Sequence, residues 1–384
     1  MITHPEGFVA AGGHVGIKAD GSHDMALVAS LEPATVAAVF TTNRAAAPPV
    51  SLSRLHVADG RARAVVLNSG CANAGTGAIG QAHALRMAGR VAAALGCAPE
   101  EVVICSTGPI GPRLPIESVE AGIDRLAAAL SGADTASKDA ALGILTTDTF
   151  PKSSRFDGDG WSIGAIAKGA AMCRPDMATM LAVITTDAAL EPSDADAALR
   201  AAVDTTFNSL NIDGCQSTND TVVLLASGAS GVVPEFEAFT AALGEVCESL
   251  ARQMARDGEE TTKVVDVVVE GAADATDAKA IALAITDSDL VRSSFYGGDP
   301  NWGRVLQAIG QSQVPADLDA LEIRYEGVPV VVAGEPASFD RPGLVARLAG
   351  DFLLEVVVGD GAGRARVIAA DLTPGYVEFN GAPS

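Results

Sequence analysis

The sequence predicts a layered α/β fold. Short apolar strands alternate with helical stretches along the whole chain, and the strands outnumber those of a simple doubly wound pattern. Alanine and glycine are abundant and aromatics are few, so the helices are expected to pack closely on small side chains. With 384 residues the chain is long enough for one large core or two medium ones.

The charge balance narrows the function. There are 26 basic and 48 acidic residues, a net charge of −22 at pH 7. That argues against a nucleic-acid or anionic-membrane surface and for a soluble protein. A cationic substrate such as a basic amino acid remains compatible. The six cysteines (Cys71, Cys97, Cys105, Cys173, Cys215 and Cys247) form no CxxC pair, so free thiols in a reducing cytoplasm are expected. Met1 to Gly7 has neither a basic n-region nor an apolar h-region, and no 18-residue apolar run occurs. A cytoplasmic location is therefore expected. The five histidines lack a metal-ligand spacing.

In chain order, two strands are expected at Met25–Ala29 and Thr35–Thr41, joined by a turn at Glu32-Pro33, with a further strand at Arg63–Leu67. The stretch Asn68 to Gly80 then leads into a helix over 81–95. Gly75, Gly77 and Gly80 in it match GxGxxG. Seven residues between Leu67 and Gly75 are too many for a tight dinucleotide turn. A glycine-rich wall of another pocket is the alternative to nucleotide binding.

A strand over 101–106 opens into Thr107-Gly108-Pro109. A hydroxyl and a backbone N–H there can point together at an oxyanion, or the three residues form a plain turn. Helices are expected from Pro115 to about Leu130 and from Asp134 to Leu145. The second ends in Thr146-Thr147-Asp148-Thr149, a polar pocket wall or a capped turn. A strand over 161–167 follows.

The central stretch is Lys168 to Asp187. Its run Met180–Ile184 reads as a buried strand, and Thr179 stands at the strand's mouth behind Ala178. By β-propensity this is a threonine at a strand end. By chemistry, Thr179 can attack the preceding carbonyl and become a new N-terminus. Its own α-amine is then the base for its hydroxyl.

Ser193 is expected to cap a helix to Thr206. The polar loop Asn208 to Thr221 is a candidate site wall before the strand 222–226. A helix over 234–256 ends at Glu259, which either is solvated or holds a substrate ammonium. After the strand 264–270, Asp299-Pro300-Asn301-Trp302 caps a helix. Strands at 321–326, 329–333, 352–358 and 364–371 close the chain.

Five motifs occur in one order: Ser106-Thr-Gly-Pro-Ile-Gly111, Thr146-Thr-Asp-Thr-Phe-Pro-Lys152, Lys168-Gly-Ala-Ala-Met with Asp176-Met-Ala-Thr-Met-Leu181, Ser217-Thr-Asn-Asp-Thr221 and Asp299-Pro-Asn-Trp-Gly-Arg304. With them the chain resembles the ornithine acetyltransferase / glutamate N-acetyltransferase family, from about Gly7 to Asn380. The resemblance implies an αββα-type sandwich like that of the self-cleaving aminopeptidases. It implies cleavage between Ala178 and Thr179, giving an α chain (1–178) and a β chain (179–384) in one catalytic unit, assembled as a dimer of such pairs.

By the same resemblance Thr179 takes acetyl from N-acetylornithine and passes it to glutamate through an ester. Thr107 and Gly108 match the oxyanion hole. Thr146, Lys168, Thr179, Glu259 and Asn380 match the substrate-binding positions, with Ser384 a shifted substitute for a terminal hydroxyl. No metal or nucleotide is implied, and acetyl-CoA stays open as a second donor. The tail after Asn380 departs from the family pattern, and Glu260 stands where a glycine usually follows the glutamate. A self-cleaving aminopeptidase or amidase, or an acetyltransferase of a related amino acid, is the alternative.

Overall fold

The computed structural model describes residues 1–174 and 180–382. Its strands are β1 (Phe8–Gly13), β2 (Met25–Phe40), β3 (Arg61–Asn68), β4 (Val102–Ser106), β5 (Lys152–Asp157), β6 (Ser162–Lys168), β7 (Leu181–Thr186), β8 (Leu210–Asn211) and β9 (Thr221–Ala226). They continue as β10 (Val264–Ala272), β11 (Glu322–Tyr325), β12 (Val328–Val332), β13 (Glu335–Pro336), β14 (Phe352–Val357) and β15 (Gly363–Ala370). The helices are α1 (Pro48–His56), α2 (Gly77–Leu95), α3 (Ile116–Ala128), α4 (Asp134–Gly143), α5 (Pro192–Thr205) and α6 (Phe236–Arg256). After them come α7 (Ala275–Asp287), α8 (Asp289–Tyr296), α9 (Trp302–Gln311), α10 (Arg341–Arg347) and α11 (Pro374–Gly381). The protein is mixed α/β with two sheets, as expected.

The chain forms two compact units. The first contains Met1–Gly169, Asp176–Asn208 and Gln216–Met254, and the second Ala170–Pro175, Ser209–Cys215 and Ala255–Ser384. The first holds an eight-stranded sheet in the order β4-β3-β2-β9-β7-β6-β5, with β1 beside β2. β3 and β4 are parallel, as are β7 and β9, and the other pairs are antiparallel. Both faces of this sheet are apolar. In β3, Val65 and Leu67 join one core with Val50 of α1 and Ala140 of α4. Ala64 and Val66 join another with Met87 of α2 and Ile123 of α3. A period of two with both parities apolar marks a strand covered on each side.

The second unit holds seven strands in the order β13-β12-β11-β14-β10-β15-β8. Its core gathers Val265, Val267 and Val269 of β10 with Ile281 and Ile285 of α7 and Val305 of α9. Trp302 packs against this core, so it is a packing residue.

Several elements differ from expectation. The two strands at 25–41 are one 16-residue strand, β2. Leu31, Glu32 and Pro33 are exposed, and the pairing with β3 shifts between Ala29 and Ala34. Pro33 lacks an N–H, so it sits where β2 passes from its partner β1 to its partner β9. α5 begins at Pro192 behind Glu191, without a side-chain cap, so Ser193 is not its N-cap. A proline already fixes φ at the first helical position and has no orphan donor there. β1, α1, β5, β8, α7, α8, β13, α10 and α11 have no counterpart in the sequence reading. β5 reads KSSRFD, too polar for a strand signal, and exists because it pairs with β6.

Gly12 of β1 explains how close α4 lies. A Cβ there would stand 2.0 Å from the Asp139 carbonyl oxygen. Gly12→Ala is expected to cost about 1–3 kcal/mol by forced separation. Gly89 on α2 meets nothing within 4 Å, so Gly89→Ala is expected to gain about 0.5–1 kcal/mol. Urea unfolding of both variants checks the pair.

Candidate active site

The first group of site residues stands where β4 ends. Thr107 donates its N–H to Asn68 O (2.9 Å) and accepts the Cys71 N–H on its carbonyl (3.0 Å). Gly108 has φ +132°, and a Cβ on it would lie 2.5 Å from the Cys71 nitrogen. Only glycine fits there. No described residue accepts the Gly108 N–H. Buried Asn219 braces the arrangement, donating to Ala72 O (2.7 Å) and Ser106 O (2.8 Å). Ser106 Oγ donates to Asn68 Oδ1 (2.6 Å), and Asn68 Nδ2 to Cys71 O (2.8 Å).

The Gly75-Gly77-Gly80 loop is part of this wall. The Ala72 N–H goes to Pro109 O and the Gly111 N–H to Ala74 O. A Cβ at Gly80 would overlap the Thr76 hydroxyl, which donates to Asn73 Oδ1 (2.9 Å). Gly80 thus serves close packing, while Gly75 and Gly77 take positive φ (+69° and +57°).

Lys168, at the end of β6 and 2% exposed, donates to the Thr107 hydroxyl oxygen (3.2 Å). An ammonium only donates, so Thr107 accepts and its own proton is left for another acceptor. The Thr107 hydroxyl, backed by the Lys168 ammonium, and the Gly108 N–H, with no described acceptor, are thus left available as donors.

A buried carboxylate supports the cation. Asp148 accepts Lys152 Nζ (2.6 Å), the Gly169 N–H (2.7 Å) and the Thr146 N–H (3.0 Å). The Thr146 hydroxyl is also turned to it (3.3 Å). Burial would push the Asp148 carboxyl up, but Lys168 and Lys152 outweigh it and hold the group well below the usual carboxylate range. The motif at 146–152 is thus a support for two lysines.

The chain on either side of residues 175–179 is held by aspartates. Within the first unit, the Met180 N–H goes to Asp220 Oδ1 (2.9 Å), and Met180 O accepts the Thr221 N–H (3.1 Å). Within the second, Asp213 takes the Met172 N–H (2.5 Å) and the Cys173 N–H (3.0 Å), and Arg174 pairs with Asp287 (2.9 Å). Met172 has φ +52°, a left-handed conformation that the Asp213 clamp stabilises. Ala178, Thr179 and Ser384 lie outside the described residues.

Glu259 and Asn380 meet in the second unit. Asn380 Nδ2 donates to Glu259 Oε2 (2.9 Å) from α11, and the Glu259 N–H goes to Ala170 O (3.0 Å). Glu260 has φ +57°. That backbone favours glycine, so Glu260 is strained there. Sequence reading missed Asn68, Asp213 and Asp220 as individual site-shaping residues. Their signal was the density of Asn, Ser and Asp in loops next to strands.

Among the described residues no three His, Cys, Asp or Glu side chains gather as a metal site. No described helix is long and apolar enough to cross a membrane.

The model of the ArgJ family matches residues 9–383. The chain belongs to the ArgJ family. Over 384 residues it is 46% identical to the arginine biosynthesis bifunctional protein ArgJ of Thermobifida fusca, covering all of this chain and 99% of that protein. The ArgJ of Mycobacterium leprae is 44% identical over 392 residues, covering all of this chain and 95% of the relative. In a crystal structure, the ArgJ of Bacillus halodurans is 36% identical with a TM-score of 0.50, covering 51% of this chain and 96% of that one. As an ArgJ family member the protein is an acyltransferase of arginine biosynthesis.

Asp148→Asn is expected to destabilise this ArgJ family member by roughly 3–5 kcal/mol at pH 7, because it leaves two buried lysines under-compensated. The folded-state pKa of Asp148 is depressed. Its stabilisation is therefore present above the unfolded-state value and is lost as pH falls through the folded-state value. The gap between wild type and variant should be constant above about pH 5 and narrow below about pH 4, checked by urea unfolding at several pH values.

Proposed function

We propose that the chain divides itself between Ala178 and Thr179, and that Thr179 then carries acetyl from N-acetyl-L-ornithine to L-glutamate. The Thr179 hydroxyl attacks the acetyl carbonyl, its α-amine takes the hydroxyl proton, and ornithine leaves with that proton. The glutamate amine then attacks the ester and releases N-acetylglutamate, a ping-pong scheme. Thr107 and Gly108 hold the oxyanion of both steps. Lys168 and Thr146 face the substrate's polar groups. Glu259 and Asn380 bind its ammonium, with Ser384 as a further hydroxyl.

The observation that carries this reading is the Lys168–Thr107 hydrogen bond beside an unpartnered Gly108 N–H. It supplies two neutral donors for a developing oxyanion without a metal. Membership of the ArgJ family supports the arginine-biosynthetic direction. The relatives carry the name bifunctional, which is compatible with a second activity such as use of acetyl-CoA as donor.

Division of the chain is compatible with the fold. β6 precedes residue 178 and β7 follows it, and they pair from Ile163↔Thr186 to Lys168↔Leu181. β2 and β9 pair likewise across the cut. The pieces are therefore expected to stay together, in a cytoplasmic dimer of such pairs. The matched Bacillus halodurans chain spans about half of this one while being 96% covered itself. A divided relative would give that length.

Denaturing mass spectrometry tests the reading. Two pieces of about 18 and 21 kDa are expected from the 38.8 kDa chain, the second beginning at Thr179. Thr179→Ala is expected to stay uncut and to transfer nothing. Thr107→Val is expected to lower kcat about 100- to 1000-fold. Hydrolysis of N-acetylornithine without transfer to glutamate would instead favour an amidase.

A further inference from the structure

Asp220 is a buried acid that the scheme above does not use. It stands at the turn into β9 and has no exposed surface. Oδ1 accepts the Met180 N–H at 2.9 Å. Oδ2 is buried and has no hydrogen-bond partner among the described residues. Thr41 Oγ1, just past β2, donates to Ser217 O (2.8 Å) and also acts on the Asp220 carboxyl. A carboxylate oxygen sealed from water without a donor is costly, and the usual outcome is that the group keeps its proton.

The surroundings agree. Burial pushes the Asp220 carboxyl well above the usual carboxylate range, against the Met180 N–H, Thr41 and the Lys168 charge, which favour ionisation. Lys168 is the charged group that acts on it, and Asp148 and Lys152 stand next to Lys168. Met180 is the residue after Thr179, so a single peptide unit separates the anchored N–H from the nitrogen of residue 179.

We propose that Asp220 is the proton carrier of self-cleavage: Oδ1 anchors the Met180 N–H, and Oδ2 holds the proton that the departing Thr179 nitrogen requires. This rests on the proposal that Thr179 cleaves the chain. The step balances. The Thr179 Oγ–Ala178 carbonyl carbon bond forms and the Ala178–Thr179 C–N bond breaks. The nitrogen gains the Oδ2 proton, the hydroxyl proton returns to the carboxylate, and Asp220 ends as it began. Water then hydrolyses the ester. A neutral acid at this place has a second effect. It puts no anion beside the new α-amine, so the amine is not driven to the ammonium form that cannot act as a base.

The test uses full-length precursor made by cell-free synthesis, with the cut fraction followed by denaturing mass spectrometry. Asp220→Asn keeps the acceptor for Met180 but cannot release a proton. It is expected to slow cleavage about 100-fold or more, with Tm within a few degrees of wild type. Asp220→Glu, which carries a proton, is expected to recover part of the rate. The wild-type rate should fall as pH rises through a pKa above the usual carboxylate range, and that limb should be absent in Asp220→Asn. A merely structural clamp would leave the pH profile unchanged.

Cleavage of Asp220→Asn at the wild-type rate and pH profile overturns the proposal. Should Asp220→Asn lose its fold, Asp220→Glu decides: a restored rate supports the proton carrier, and a stable but uncut protein overturns it. The two readings fail separately. An uncut wild type, or a cut Thr179→Ala, removes the Thr179 reading. A cut wild type with a normally cut Asp220→Asn removes only Asp220.

Discussion

Two lysines, Lys152 and Lys168, stand essentially out of water in one sheet, and the site depends on how they are compensated. Asp148 takes the Lys152 ammonium directly and is held ionised by both lysines. The same carboxylate takes the Gly169 N–H, so the charge arrangement also fixes where the chain leaves β6. Lys168 is then free to hold Thr107 by its oxygen. A buried charge cluster of this kind is weak evidence for stability and better evidence for placement. Here it places a cation behind a hydroxyl whose proton has no other described acceptor.

The aspartates divide the work by environment. Asp148 meets two cations and stays charged. Asp220 is favoured as an anion by the Met180 N–H, the Thr41 hydroxyl and the Lys168 charge, but burial outweighs them. Asp213 lies between, taking three N–H groups but pushed up by burial. Within the first unit, Asp148 and Asp220 thus have opposed shifts, as acid–base chemistry requires. The lysines and the closed strand walls create that opposition.

Much of the arrangement was legible in the sequence. At Thr107 and Gly108 the sequence left an oxyanion site and a plain turn both open, and Gly108 proves to be a position that only glycine fits. Lys168 was readable from the motif around it. Glu259 and Asn380 came from the resemblance, and their hydrogen bond gives them a physical link. The single strand β2 was hidden because Glu32-Pro33 looks like a turn, while the neighbouring strands, absent from a local reading, keep it extended. β5 was hidden for the same reason. The roles of Asp148 and Asp220 depend on partners 4 to 40 residues away, and no local pattern encodes which aspartate will be ionised.

The central claim is that Thr179 carries acetyl. The most direct measurement is the mass of the 179–384 piece after exposure to N-acetylornithine with glutamate withheld. The account predicts a gain of about 42 Da, one acetyl group, confined to the residue-179 peptide and lost when glutamate is added. A piece whose mass is unchanged while ornithine is released would contradict an acetyl-enzyme and with it the ping-pong scheme.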